Sequence, residues 1–179
     1  HLANRPKSRI FGGKTFMLGS STALVPEASG VYSGALSGIA AKTVPFWARS
    51  RFFPPQDLAT LSDWEEKVSR VAEASIGENI RGFGGTPSWM LIFLDKLATL
   101  SPGVTKRSLA PYPDLELIVH GGVNFTPYRR QFDELCHGTR AELREVYPAS
   151  EGFIAVQDRA PDEGLRLLLD SGLFYEFVP

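Results

Sequence analysis

Cysteine is nearly missing from this chain, with Cys136 the one copy among 179 residues. That excludes an internal disulfide framework and any metal cluster built from several thiolates, and it suits a reducing, cytoplasmic setting. An excess of charge is missing as well. Nineteen Lys and Arg stand against twenty Asp and Glu, a formal net charge of −1. No general field therefore draws the chain to a phosphate backbone or an anionic lipid surface, and neither nucleic acid nor membrane is expected as a partner. No stretch approaches the roughly 18 consecutive apolar residues of a membrane-spanning helix, and residues 1–7 hold no apolar signal core. There is no Gly-x-Ser-x-Gly elbow to anchor an α/β-hydrolase triad. Gly12-Gly13-Lys14-Thr15 lacks the spacing of a P-loop and leads into a strand pattern where a P-loop would open a helix.

What remains is an ordinary globular composition, 43% hydrophobic and 22% charged, punctuated along its whole length by 13 prolines and 17 glycines. No repeat and no linker divides it, so residues 1–179 read as one domain or as a piece of one; His1 in place of Met and the apolar run up to Pro179 favour the piece. Residues 14–19 read as a strand followed by the small-residue loop Gly19-Ser20-Ser21-Thr22, while 30–38 is too rich in Gly and Ser to assign. Over residues 57–75, Leu58, Leu61, Trp64, Val68, Val71 and Ala72 recur at three- and four-residue spacing and predict one amphipathic helix. Residues 80–85 form a short glycine-bounded run read as a buried strand. Thr86 as N-cap and Pro87 at the first helical position open a second helix through Leu97. A strand at 115–120, a helix at 127–136 and a strand at 143–147 follow. Three further strand-like pieces, at 152–156, 165–169 and 173–178, close the chain, with Asp170-Ser171-Gly172 as a hairpin turn between the last two. Strands alternating with helices and then a terminal meander predict an α/β fold: a largely parallel sheet flanked by helices with a C-terminal β-meander.

Ligands of such sheets sit at the carboxyl ends of the strands. Two predicted strand ends carry unusual residues. At His120-Gly121-Gly122-Val123-Asn124-Phe125, paired glycines serve either as a tight strand-to-helix turn or as a place where main chain approaches a flat ligand without a Cβ in the way. At Tyr147-Pro148-Ala149-Ser150-Glu151-Gly152, a ring, a hydroxyl and a carboxylate fall within five residues. They read either as a proline-bearing turn or as groups that stack on a base, bond a phosphate oxygen and hold a divalent cation. His120, Cys136 and His137 make a weak metal or thiol candidate, because adjacent residues at a helix end point different ways. Arg49, Arg51, Arg107, Arg129 and Arg130 are scattered among acids and read as solvated.

Taken together, His120-Gly121-Gly122, Tyr147-Pro148-Ala149-Ser150-Glu151-Gly152 and Phe174-Tyr175-Glu176-Phe177-Val178-Pro179 resemble the auxin-responsive acyl-acid amido synthetases, the Gretchen Hagen family of adenylate-forming enzymes, and its bacterial members in particular. Gly85-Thr86-Pro87-Ser88-Trp89-Met90-Leu91 and Leu36-Ser37-Gly38 are similar to that family too, so the likeness spans most of the chain. The resemblance implies an ATP-dependent ligase. A carboxylic acid and ATP·Mg²⁺ give an acyl adenylate and pyrophosphate, and the acyl group passes to an amine such as an amino acid. It also implies roles. Gly121, Gly122 and Val123 would line the adenine pocket, Tyr147, Pro148, Ala149 and Ser150 would hold the nucleotide, and Glu151 would bind Mg²⁺, with Ser150 and Glu151 as the catalytic pair. Trp89 and Val123 would border the acyl group.

The family's Ser-Ser-Gly-Thr phosphate loop is not in the sequence; nor are its ribose-binding Asp and mobile C-terminal domain. The resemblance therefore implies the central part of an adenylating N-terminal domain, inactive by itself, whose interrupted sheet invites self-association. An acyl-CoA ligase or acyl-protein synthetase of the same superfamily, or a non-catalytic binding module, are the alternatives.

Overall fold

A computed structural model describes residues 1–101, 103, 106–159 and 164–178; Pro179, the last residue of the third family-like segment, lies outside them. In chain order the elements are β1 (Lys14–Leu18), β2 (Leu24–Ala28), β3 (Val31–Gly34), α1 (Leu36–Thr43), β4 (Phe52–Phe53), α2 (Gln56–Ala59), α3 (Trp64–Ser75), β5 (Ile80–Gly85), α4 (Pro87–Leu100), β6 (Leu117–Gly121), α5 (Arg129–Cys136), β7 (Glu142–Ala149), β8 (Gly152–Val156) and β9 (Arg166–Leu167). Seven strands form one sheet in the order β4-β1-β5-β6-β7-β8-β9; β2 and β3 pair apart from it as a hairpin. From β4 to β7 every pairing is parallel, and β7-β8-β9 is antiparallel. This is the expected mixed α/β architecture with antiparallel strands at its C-terminal side.

The parallel register lines up side chains across the sheet. Phe53, Phe16, Phe83 and Ile118 pair in sequence along one row, and all four are buried. Helices cover that row. The Phe16 ring stacks on Phe83 at 4.8 Å and meets Phe93 of α4 edge-on at the same separation. Val68 and Val71 of α3, with Met90, Leu94 and Leu97 of α4, complete the core. Each fully buried side chain of this size contributes about 1.5–3 kcal/mol. Steps from β5 to β6 to β7 run in one direction across the sheet, so right-handed crossovers place α4 and α5 on the same face.

Three expectations need correction. The stripe over 57–75 is not one helix. Asp63 takes an extended conformation and its carboxylate accepts the Glu66 N–H at 2.7 Å, so α3 starts at Trp64 with its own cap and α2 is a separate turn. Apolar spacing cannot register such a break, because Leu58, Leu61 and Trp64 keep their phase across it. The predicted strand at 165–169 shrinks to the two residues of β9, and 173–178 forms no strand; Ser171 and Gly172 make a bend rather than a hairpin. Leu173 instead lies against Gly152, and the Tyr175 hydroxyl donates to the Leu168 carbonyl at 3.1 Å. Alternate residues of this segment thus pack locally, while Phe174 stays 92% exposed. Finally, Thr86 occupies the N-cap position of α4 with Pro87 behind it, but its hydroxyl makes no capping bond.

At the end of the sheet where the parallel strands begin, a buried ion pair ties down the N-terminal segment. Glu116 accepts from Arg81 Nη1 at 2.7 Å, from Ser8 Oγ at 2.6 Å and from the Arg9 N–H at 3.0 Å. Arg81 also reaches Asp114 at 3.2 Å. Burial alone would raise the Glu116 carboxyl, but the bonds from Ser8, Arg9 and Arg81 outweigh it and hold it below its ordinary value.

Candidate functional site

Both predicted strand-end segments lie at the opposite end of the sheet, where β5, β6 and β7 finish. Because β6 and β7 are parallel neighbours with Gly121 opposite Val146 and His120 opposite Glu145, the turn at 121–123 and the β7–β8 hairpin that carries 147–151 lie at one end of the sheet. Gly85, the last residue of β5, lies opposite His120, so α4 begins at that end too.

Each glycine of the pair has its own reason. A Cβ on Gly121 would be driven into the Val146 carbonyl, so only glycine lets β6 and β7 approach this closely. Gly122 sits at φ +81°, in the left-handed region that L side chains avoid, with nothing within 4 Å of the space a Cβ would take. The turn therefore accounts for both glycines, and it also leaves the backbone at Gly122 and the half-exposed Val123 open to solvent. In the second segment Ala149 pairs with Gly152, which makes Ser150-Glu151 the two-residue tip of the β7–β8 hairpin. The register shifts between Tyr147 and Pro148, where proline has no N–H to give the ladder. Tyr147, Ser150 and Glu151 are all exposed.

Glu151 has no ion-pair partner among the described residues, which also contain no group of three His, Cys, Asp or Glu side chains able to hold a metal. A one-carboxylate site is compatible with Mg²⁺, which keeps several waters and takes its remaining ligands from substrate phosphates. Trp89 stands on the first turn of α4, but its ring is packed at 4.7 Å against Trp64, the first residue of α3. It serves the helix–helix contact on the face that covers the core.

The residues proposed for metal or thiol chemistry separate. Cys136 is half-buried against the core, and burial, helped by Asp133, pushes its thiol up to about 11. It is protonated at neutral pH and a poor nucleophile. His137 lies outside the helix as its C-cap, with its N–H on the Asp133 carbonyl. His120 is only 2% exposed, and burial, with Arg129 nearby, lowers it to about 4, so the ring is neutral.

Phe125 and Arg129 were not evident from spacing. The Phe125 ring lies flat on His120 at 3.7 Å and 19°, and the Arg129 guanidinium lies over Phe125 at 5.2 Å. An aromatic five residues beyond His120, across two glycines, was the available signal. Both rings border an open cavity of about 760 Å³ that Arg129, Asp133, Glu145 and Gln157 also line. Neither 121–123 nor 147–151 lines that cavity.

No curated protein matches the sequence. A family model, the GH3 family N-terminal domain, matches residues 6–141. That span holds β1 to α5, including the glycine turn, and stops one residue before β7, so the segment at 147–151 lies beyond it. With well over half of its length inside that model, the chain belongs to the GH3 family.

Proposed function

We propose that this chain is part of an acyl-acid amido synthetase and supplies two of the nucleotide-contacting segments of its adenylating site. Adenylation converts a carboxylate, a poor electrophile, into a mixed anhydride whose leaving group is AMP, and an amine, such as that of an amino acid, then takes the acyl group. The observation that supports this reading is the register of β6 against β7, which ends the glycine turn and the β7–β8 hairpin bearing Tyr147, Ser150 and Glu151 at the same end of the sheet.

In this reading the open main chain at Gly121, Gly122 and Val123 borders the adenine, and the exposed Tyr147 ring packs on the base. Pro148 and Ala149 shape the strand end, and the Ser150 hydroxyl bonds the α-phosphate. Glu151 holds Mg²⁺, which when bound offsets negative charge on the phosphates. Val123 is assigned to the acyl side of the site, and Trp89, whose ring packs on Trp64, to its border at the start of α4. The chain is one partial domain of a cytoplasmic, bacterial enzyme, and without the rest of the site it releases no pyrophosphate from ATP and an acid. Self-association is part of the same reading. Parallel sheets bury both faces, yet Met17 of β1 and Phe52 of β4 are 53% and 41% exposed.

Calorimetry with AMP and Mg²⁺, or with a nonhydrolysable acyl-adenylate analogue, tests the reading. The chain should bind, Tyr147→Ala and Glu151→Ala should each lose about tenfold in affinity, and His137→Ala should bind as the parent does. Binding that survives both of the first two substitutions would remove the hairpin tip from the site.

A further inference from the structure

We propose that His120 is a positioning residue whose ring, stacked under Phe125, holds the glycine turn as a fixed arch at the sheet edge. The inference rests on the nucleotide-site reading for its functional consequence but on separate geometry for its substance. His120 is the last side chain of β6 before the two glycines. Beyond it the chain reverses through Gly121, Gly122, Val123 and Asn124, and returns Phe125 to lie flat on the imidazole at 3.7 Å. The arch has few other fastenings. Asn124 Oδ1 accepts the Thr126 N–H at 3.0 Å, a bond within the returning limb. Gly122, Val123 and Asn124 are exposed, and Gly122 carries no side chain to pack. Two glycines in succession are the most entropically costly residues to hold in one conformation. The ring pair therefore closes a loop that its own backbone would leave open.

The far limb is rigid by contrast. The Phe125 carbonyl accepts the Tyr128 and Arg129 N–H groups at 2.9 and 3.1 Å, so Phe125 is already tied to the start of α5. Phe125 also packs at 5.5 Å on the fully buried Phe132 of α5. Stacking His120 on it couples the end of β6 to that helix across the turn.

The nitrogen of the ring tells the same story from the other side. His120 Nδ1 is buried and has no hydrogen-bond partner among the described residues, an arrangement that costs stability and that a phenyl ring in the same slot would avoid. Packing of the flat ring, and no bond of Nδ1, is what fixes the arch.

Three variants of the chain decide the matter by two readouts: amide exchange at Tyr128 and Arg129, and AMP·Mg²⁺ affinity by calorimetry. His120→Ala should raise exchange at both amides about tenfold, leave Leu94 and Leu97 of α4 unchanged, and weaken AMP binding about tenfold. Phe125→Leu should do the same from the other limb, and it carries the test if His120→Ala fails to fold. His120→Phe should restore both readouts to within about threefold of the parent and raise the melting temperature, because the stack remains and the unpartnered nitrogen is gone. Parental exchange in both disrupting variants would overturn the proposal. So would a His120→Phe variant as poor as His120→Ala, which would assign the role to the nitrogen. If the parent binds no AMP, the nucleotide-site reading fails, while the exchange measurements still decide whether His120 holds the arch.

Discussion

The two ends of the parallel sheet solve opposite problems with the same residue types. Where the strands begin, Glu116 is 9% exposed and satisfied by Arg81, Ser8 and the Arg9 backbone. Where they finish, Glu151 sits exposed on a two-residue hairpin tip with no ion-pair partner among the described residues. One carboxylate is spent on joining the N-terminal segment to β5 and to the start of β6; the other is left with all its lone pairs available. One glycine at each end shows the same contrast, although Gly121 is itself packed against Val146. Gly13 lies where a Cβ would meet the Asn79 main chain and the Arg81 side chain, whereas nothing stands within 4 Å of a Cβ at Gly122. In a parallel α/β sheet the chain turns outward at the carboxyl ends, so stability accumulates at one edge and accessible groups at the other.

The largest test of this contrast is Glu116→Ala. It leaves Arg81, itself 9% exposed, with only the half-exposed Asp114 for an ion-pair partner, and strands Ser8 Oγ and the Arg9 N–H. Removing one member of a buried pair costs about 3–5 kcal/mol, far above the value of a surface pair. Urea unfolding measures it. A loss below about 1 kcal/mol would place Glu116 among ordinary surface carboxylates and erase the difference between the two edges.

The next effect is acid sensitivity, and its sign follows from the direction of each shift. His120 is lowered to about 4 in the folded chain against about 6.5 unfolded. Between those values the unfolded chain binds more protons, so stability is complete above the upper one and falls as pH drops toward the lower, by at most about 3 kcal/mol. The charged groups lining the cavity beside the ring are Arg129 of α5, which opposes protonation, Asp133 of α5, Glu142, Arg144 and Glu145 of β7, and Arg5, Asp158 and Arg159. Glu116 is also held below its ordinary value, so its contribution is lost from the usual carboxylate range downward, at lower pH than that of His120. Unfolding midpoints at pH 7 and pH 5 should therefore differ in the parent and converge in His120→Phe. An equal loss in that variant would assign the sensitivity to other groups.

Much of the sheet was legible because its signals are local. Residues 80–85 and the end of β6 are short apolar runs bounded by glycine, and Pro87 starts α4 where its missing N–H costs nothing. The placement of the two candidate segments was legible for the same reason: both are strand ends, and they fall on adjacent parallel strands. The failures are non-local. Whether 173–178 pairs as a strand depends on its neighbour, and β9, two residues long, offers too little ladder to extend. The Asp63 cap breaks a helix without breaking its apolar phase. The stack of Phe125 on His120 needs the reversal at Gly121 and Gly122, whose geometry no periodicity encodes. The Arg81–Glu116 pair joins residues 35 apart, which carry no spacing rule at all.

The smallest expected change in stability belongs to Glu151→Ala, and its smallness is the point. Its side chain meets no cation among the described residues, it is exposed, and the hairpin around it is set by the pairing of Ala149 with Gly152 and not by its carboxylate. Substitution at such a position stays within about 0.5 kcal/mol, against several for the glutamate at the other edge. If the hairpin tip contacts nucleotide, the same substitution lowers AMP·Mg²⁺ affinity about tenfold. Glu116→Ala, assayed where it is still folded, should leave that affinity unchanged. Measured side by side, the two variants should therefore exchange rank: Glu116 first in stability, Glu151 first in binding. A stability loss at Glu151 comparable to that at Glu116 would mean that the tip is held by its carboxylate, and the division of labour between the two edges would not stand.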